Sequence, residues 1–126
     1  MKKHKTRRAR LKANLEEVVK AYVKKRDNYT CQMCGKENLT GSDCQWSHVV
    51  SRKQDGRLIY DPMNSKVLCF HCHFENWHRN PVSAGEWFQE KFPGRWTYLI
   101  AKRLEHQSMG AIRELWYLEQ LEAYDE

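Results

Sequence analysis

No stretch of this 126-residue chain approaches the roughly 20 apolar residues of a membrane-crossing helix, and the N-terminus lacks the apolar core of a secretory signal. Internal repeats, low-complexity segments and a second domain are absent too. These absences lead to the expectation of a soluble, cytoplasmic protein with no membrane partner. Cysteine is scarce and odd in number, five in all, which argues against a disulfide framework and for reduced thiolates in a metal site. Hydrophobic residues make up 40% of the chain and include five tryptophans. That allows a core, but one of a size that usually needs a staple.

Four of the five cysteines supply the staple. Cys31 and Cys34 form one Cys-x-x-Cys pair, and Cys69 and Cys72 form another. Four thiolates in two such loops match the tetrahedral shell of zinc and fill it, so one structural zinc per chain is the expected cofactor. Gly35 permits the tight turn that faces backbone amides toward the sulfurs. Cys44, the odd cysteine, reads as a small buried strand residue.

Acidic residues are rare at the front of the chain. Through residue 30 there are eleven Lys or Arg against three acids, and from residue 31 onward eleven against thirteen, so the whole of the +6 excess is N-terminal. Lys2, Lys3, Lys5, Arg7, Arg8 and Arg10 suit phosphate neutralisation on DNA, which is strong, salt-dependent and indifferent to sequence. The bland alternative is a solvated, frayed terminus.

Leu11, Leu15, Val18, Val19 and Tyr22 recur at helical spacing, which predicts a basic amphipathic helix over about 9–25. A first knuckle (26–35) and a polar loop lead to a predicted strand over 44–50. A loop with Arg52, Lys53 and Arg57 precedes a return strand near 65–68, and the second knuckle runs into a helix closed before Asn80-Pro81. Ser83 to Glu86 reads as a capping box for a helix carrying Trp87, Phe88 and Phe92 and ended by Pro93-Gly94. Thr97 is expected to cap another helix through His106, and Ala111 to Tyr124 to present Ile112, Leu115, Trp116, Leu118 and Leu121 as an apolar stripe. The expected fold is α+β and mainly helical. A basic arm and helix (1–25) and a C-terminal helical extension (81–126) flank a zinc-stapled strand, strand, helix core (26–80).

Between the cysteine pairs lie Ser47-His48 and Asp61-Pro62-Met63-Asn64, and His73 directly follows the last cysteine. With the knuckles, this order resembles the HNH endonucleases of the ββα-metal superfamily over roughly residues 25–80. Two flanking pairs look like phage endonuclease VII and the zinc-knuckle HNH enzymes and, more loosely, like phage recombination nucleases of the NinG/Rap type. The resemblance implies metal-dependent hydrolysis of DNA, double-stranded or branched, in a host-cell cytoplasm if the chain is phage-encoded. It leaves a homodimer open and gives no role to the segment after residue 83.

Hydrolysis of a phosphodiester needs a base for water and a cation for the developing charge. The resemblance makes His48 the base, Asn64 a brace whose amide ties down the loop after His48, and His73 a ligand of the catalytic ion. The plainer readings are a turn residue for Asn64 and a partner to a cysteine sulfur for His73. Many family members carry an aspartate ligand immediately before the base, where this chain has Ser47. On an α-helix Asn76, at i+3 from His73, is then the geometric candidate to complete the shell, with His78 at i+5 off the face and able to contribute only if the helix has ended. The ion is expected to be magnesium or manganese. Arg52, Lys53 and Arg57 are candidates to grip the backbone near the cut. Two other function classes stay open: a non-catalytic zinc module that binds nucleic acid or protein, and a phage packaging component with vestigial activity.

Overall fold

The computed structural model describes residues 6–104 and 114–124. Helix α1 spans Arg7–Arg26. It starts earlier than its apolar stripe predicts because Thr6 caps it, the Thr6 hydroxyl accepting from the Ala9 amide at 3.1 Å. Its buried residues are Leu15, Val19 and Val23. Val23 therefore takes the place expected for Tyr22, which is exposed and packs edge-on against Tyr124. The helix ends in two left-handed residues, Asn28 and Tyr29, which turn the chain into the first knuckle.

Two short strands, β1 (Gln45–His48) and β2 (Ser65–Leu68), pair antiparallel with Ser47 opposite Lys66 and His48 opposite Ser65. Every residue of β2 is buried. Its position is fixed from α1: the Arg26 guanidinium donates to the Pro62 and Ser65 carbonyls at 2.6 and 2.7 Å. The Asp27 carboxylate, paired with Arg26, accepts the Val67 amide at 2.9 Å. Charge-assisted bonds of this kind hold β2 to the helix end more firmly than neutral ones would.

After β2 comes a π-helix, Cys72–His78, and then α2 (Pro81–Lys91), α3 (Pro93–Arg103) and α4 (Glu114–Glu122). The result is a mainly helical α+β fold. Three sequence expectations are corrected. Helix α2 begins at Pro81, whose ring is already set for a first helical turn, so Ser83 caps nothing. Pro93 ends α2 and at once opens α3, which leaves Thr97 inside that helix with its hydroxyl donating to the Pro93 carbonyl at 3.1 Å. In α4 the fully buried residue is Tyr117, with Trp116 and Leu121 of the expected stripe partly buried against the core, whereas Leu115 is 66% exposed. His106 and Ile112 lie outside the described residues.

The core has two parts. Leu15, Val19 and Val23 pack with Ile59, Tyr60, Val67, Leu68 and Tyr117 beside Cys31, Cys69 and Cys72 of the knuckles. Val50, Leu58, Phe88 and Leu99 form a second cluster, flanked by Trp77, Trp87 and Trp96. Among the described residues no helix is long and apolar enough to cross a membrane. The inward face of α4 is testable by substitution. Tyr117→Ala should cost about 3–5 kcal/mol in urea unfolding, in line with other large aromatic truncations, while Leu115→Ala should stay within about 0.5 kcal/mol.

Candidate active site and metal centre

The sulfurs of Cys31, Cys34, Cys69 and Cys72 all lie within 4.8 Å of one another, and Cys34 and Cys69 are 3.8 Å apart. Zinc–sulfur bonds of about 2.3 Å in a tetrahedron put the sulfurs about 3.8 Å apart, so the four residues fit such an ion. Each knuckle presents an amide to its first sulfur: the Cys34 N–H to Cys31 and the Cys72 N–H to Cys69, both at 3.4 Å. The left-handed Gly35 closes the first turn, its amide donating to the Cys31 carbonyl. Burial opposes ionisation of Cys31, yet amide hydrogen bonds hold its thiol down at about 7. Burial pushes Cys69 and Cys72 up. Thiols this close cannot all ionise unless a cation sits among them. Cys44 lies buried outside the cluster.

His48 ends β1 and lines a cavity of about 420 Å³ with Trp46, Arg52, Ile59, His73 and His78. Its Nε2 lies 3.1 Å from the Ile59 carbonyl oxygen. A carbonyl can only accept, so Nε2 carries the proton and Nδ1 keeps a free lone pair. Trp46 packs edge-on against the ring at 4.3 Å. Burial pushes the imidazole down to about 4, against the opposing pull of the Ile59 carbonyl. The group is therefore neutral near pH 7, as an acceptor of a proton from water must be.

Asn64 is fully buried and uses both ends of its amide. Its Oδ1 accepts from the Val50 amide at 2.7 Å, and its Nδ2 donates to the Val50 and Leu58 carbonyls, both at 2.9 Å. Its own carbonyl accepts the Val49 amide at 2.9 Å. The chain leaving His48 is thus clamped on both sides of the loop.

His73 and His78 stand together, their Nε2 atoms 3.2 Å apart. The α-helical spacing assumed from sequence puts His78 off the face of His73. The segment is instead a π-helix, whose i→i+5 hydrogen bonding aligns residues five apart. Two imidazole nitrogens bound to one ion at about 2.0–2.1 Å are separated by about 3.0–3.4 Å, so the pair fits two corners of a single metal shell. Burial pushes His73 down to about 4, which keeps it available as a neutral ligand. Its Nδ1 is buried without a partner among the described residues, where a metal-binding imidazole usually has a bond that orients it.

Ser47 and Asn76, expected near the catalytic ion, do not line this cavity. Side chains alternate along a strand, so Ser47 faces away from His48. Its Oγ accepts from the fully buried Lys66 amine at 3.0 Å. That amine sits over the Trp77 ring, 3.1 Å from its centroid. Asn76 donates instead to the Cys72 sulfur at 3.5 Å. No carboxylate lines the cavity among the described residues.

Of the basic candidates, Arg52 lines the cavity and bonds Glu16 of α1 at 3.0 Å. Arg57 lies over Trp116 in a separate cavity, and Lys53 is exposed. Arg7 pairs with Glu114 at 3.9 Å, and Arg8 lies over Tyr117, so these two help dock α4. Arg10, in the first turn of α1, is exposed. Lys2, Lys3 and Lys5 lie outside the described residues.

Removing the metal from the cysteine cluster should unfold the chain, because the site exists only when folded. Circular dichroism during titration with a strong chelator checks this, and Cys69→Ser should be destabilised to a similar extent. A second outcome concerns pH. The folded protein binds fewer protons at His48 than the unfolded chain between about pH 4 and 6.5, so stability should rise with pH across that window. Acidification from pH 7 should lower the urea midpoint, and less so in His48→Gln.

Residues 31–79 match the family model described as HNH endonuclease. No curated protein and no solved structure matches the chain. The matched segment begins at Cys31 and contains both knuckles, His48, Asn64, His73 and His78.

Proposed function

We propose that the chain is a metal-dependent endonuclease that hydrolyses DNA phosphodiester bonds, with a structural zinc on its four cysteines. The observation that supports it most is His48, whose Nε2–H is committed to the Ile59 carbonyl so that Nδ1 is left to accept a proton from water. The cavity also holds the His73–His78 pair. A divalent ion there would meet the negative charge that develops on the phosphate.

Each residue then has a part. His48 is the general base. Asn64 keeps it in place by fixing the loop behind it. His73 and His78 hold the ion with no carboxylate beside them, so phosphate and water complete the shell. Imidazole without carboxylate favours manganese or nickel over magnesium. Ser47 has no place in this shell. Arg52 and the N-terminal lysines supply phosphate contacts that position without specifying. The two-knuckle resemblance points to a phage-type or recombination enzyme. A zinc module without catalysis would leave the clamped loop and oriented imidazole without a use.

Plasmid nicking by purified protein tests the reading. Nicking should require a divalent ion and run faster in manganese than in magnesium. His48→Ala should lower the rate at least about 100-fold at saturating metal, the scale of a lost general base. His78→Ala should mainly raise the metal concentration needed. Equal activity in His48→Ala, or nicking in the absence of divalent ions, would refute it.

A further inference from the structure

Two phenylalanines stand on the outside of the molecule where an ordinary surface would place polar groups. Phe70 is 53% exposed and Phe74 40%. Their rings touch, with centroids 4.5 Å apart. Phe74 also stacks on His78 at 5.9 Å and meets His73 at 4.7 Å. The four rings form one continuous aromatic ladder that starts at the candidate metal ligands and runs outward to the second knuckle. Scattered exposed apolar residues need no explanation, but a contiguous row beside a polar site does.

The outer end is held in place. The Phe70 amide donates to Asp43 Oδ1 at 2.9 Å, and the other Asp43 oxygen pairs with Lys36 at 2.7 Å. With Cys69 in the sulfur cluster on one side and the π-helix on the other, Phe70 presents its ring from a backbone anchored on both sides. Preorganised aromatic faces of this kind are what proteins use to stack unpaired bases, and they are tolerant of sequence because every base has a π-face.

We infer that Phe70 and Phe74 form a stacking platform for an unpaired base next to the scissile phosphate. The preferred substrate is then DNA with single-stranded character at the cut, such as a gap, flap or branch. This rests on the nuclease reading, which puts the scissile phosphate at the His73–His78 pair. A base on Phe74 would belong to a neighbouring nucleotide. In an intact duplex the base faces are covered by their own neighbours, so such DNA gains nothing from the platform.

The test separates binding from cleavage by using the whole zinc-loaded chain with His48→Ala, chosen to hold DNA without turnover. Fluorescence anisotropy would compare an intact duplex with the same duplex carrying a three-nucleotide gap. The gapped DNA should bind about tenfold tighter, the scale of one stacked base. Phe74→Ala and Phe70→Ala should each reduce that preference and leave duplex affinity unchanged, whereas the conservative Phe74→Trp should retain the preference. A 2-aminopurine in the gap should be quenched by the parent and not by Phe74→Ala. Equal affinity for the two DNAs, or equal loss on both in the alanine variants, overturns the inference. So does a change of oligomeric state in those variants by light scattering, which would make the face a contact between copies. Failure to nick any DNA would count against the nuclease reading alone, since the binding preference is measured without cleavage.

Discussion

Four sulfurs drawn within 4.8 Å of one another are the constraint on which the site's geometry depends. The first pair follows the end of α1 and the second opens the π-helix, so the cluster joins the N-terminal helix to the segment carrying His73 and His78. Strands β1 and β2 lie in the chain between the two pairs and bring His48 to the same cavity. Thiolates this close repel one another unless a cation sits among them. Arg26 and Asp27 reinforce it from α1 by bonding directly to the chain around β2.

The cavity is cationic or neutral throughout its described lining. His48 is kept neutral by burial. Behind it the Lys66 amine is sealed against Trp77 and Ser47, and burial lowers its pKa well below the usual range of an amine. An amine there anchors the backbone, donating to the Ser47 hydroxyl at 3.0 Å and lying 3.4 Å from the His48 carbonyl. Such a lining suits an anionic phosphate.

Much of this was legible in the sequence, for identifiable reasons. Cysteine spacing is a short-range metal signature, so the cluster could be read directly. The β-branched and aromatic run located β1, and the apolar run before Cys69 located β2. The two-way bonding capacity of Asn64 was readable from its chemistry. What sequence missed depended on geometry that periodicity does not encode. The π-helix shifts the face by one residue per turn, which brings in His78 and turns Asn76 toward Cys72 instead. Ser47 was judged by its position next to His48, although neighbours on a strand point to opposite faces. In α4 a leucine-rich pattern drew attention from Tyr117, the residue whose ring fills the space against α1 and Tyr60. Thr6 lay before the apolar stripe and gave no signal except as a cap.

The central proposal is that His73 and His78 share one divalent ion, and electron spin echo spectroscopy of bound manganese tests this most directly. Manganese titrated into the zinc-loaded protein with a short DNA should show nitrogen couplings from two imidazoles, reduced to one in His78→Ala. A parent spectrum without nitrogen coupling, or with a single imidazole that survives in His78→Ala, would contradict it.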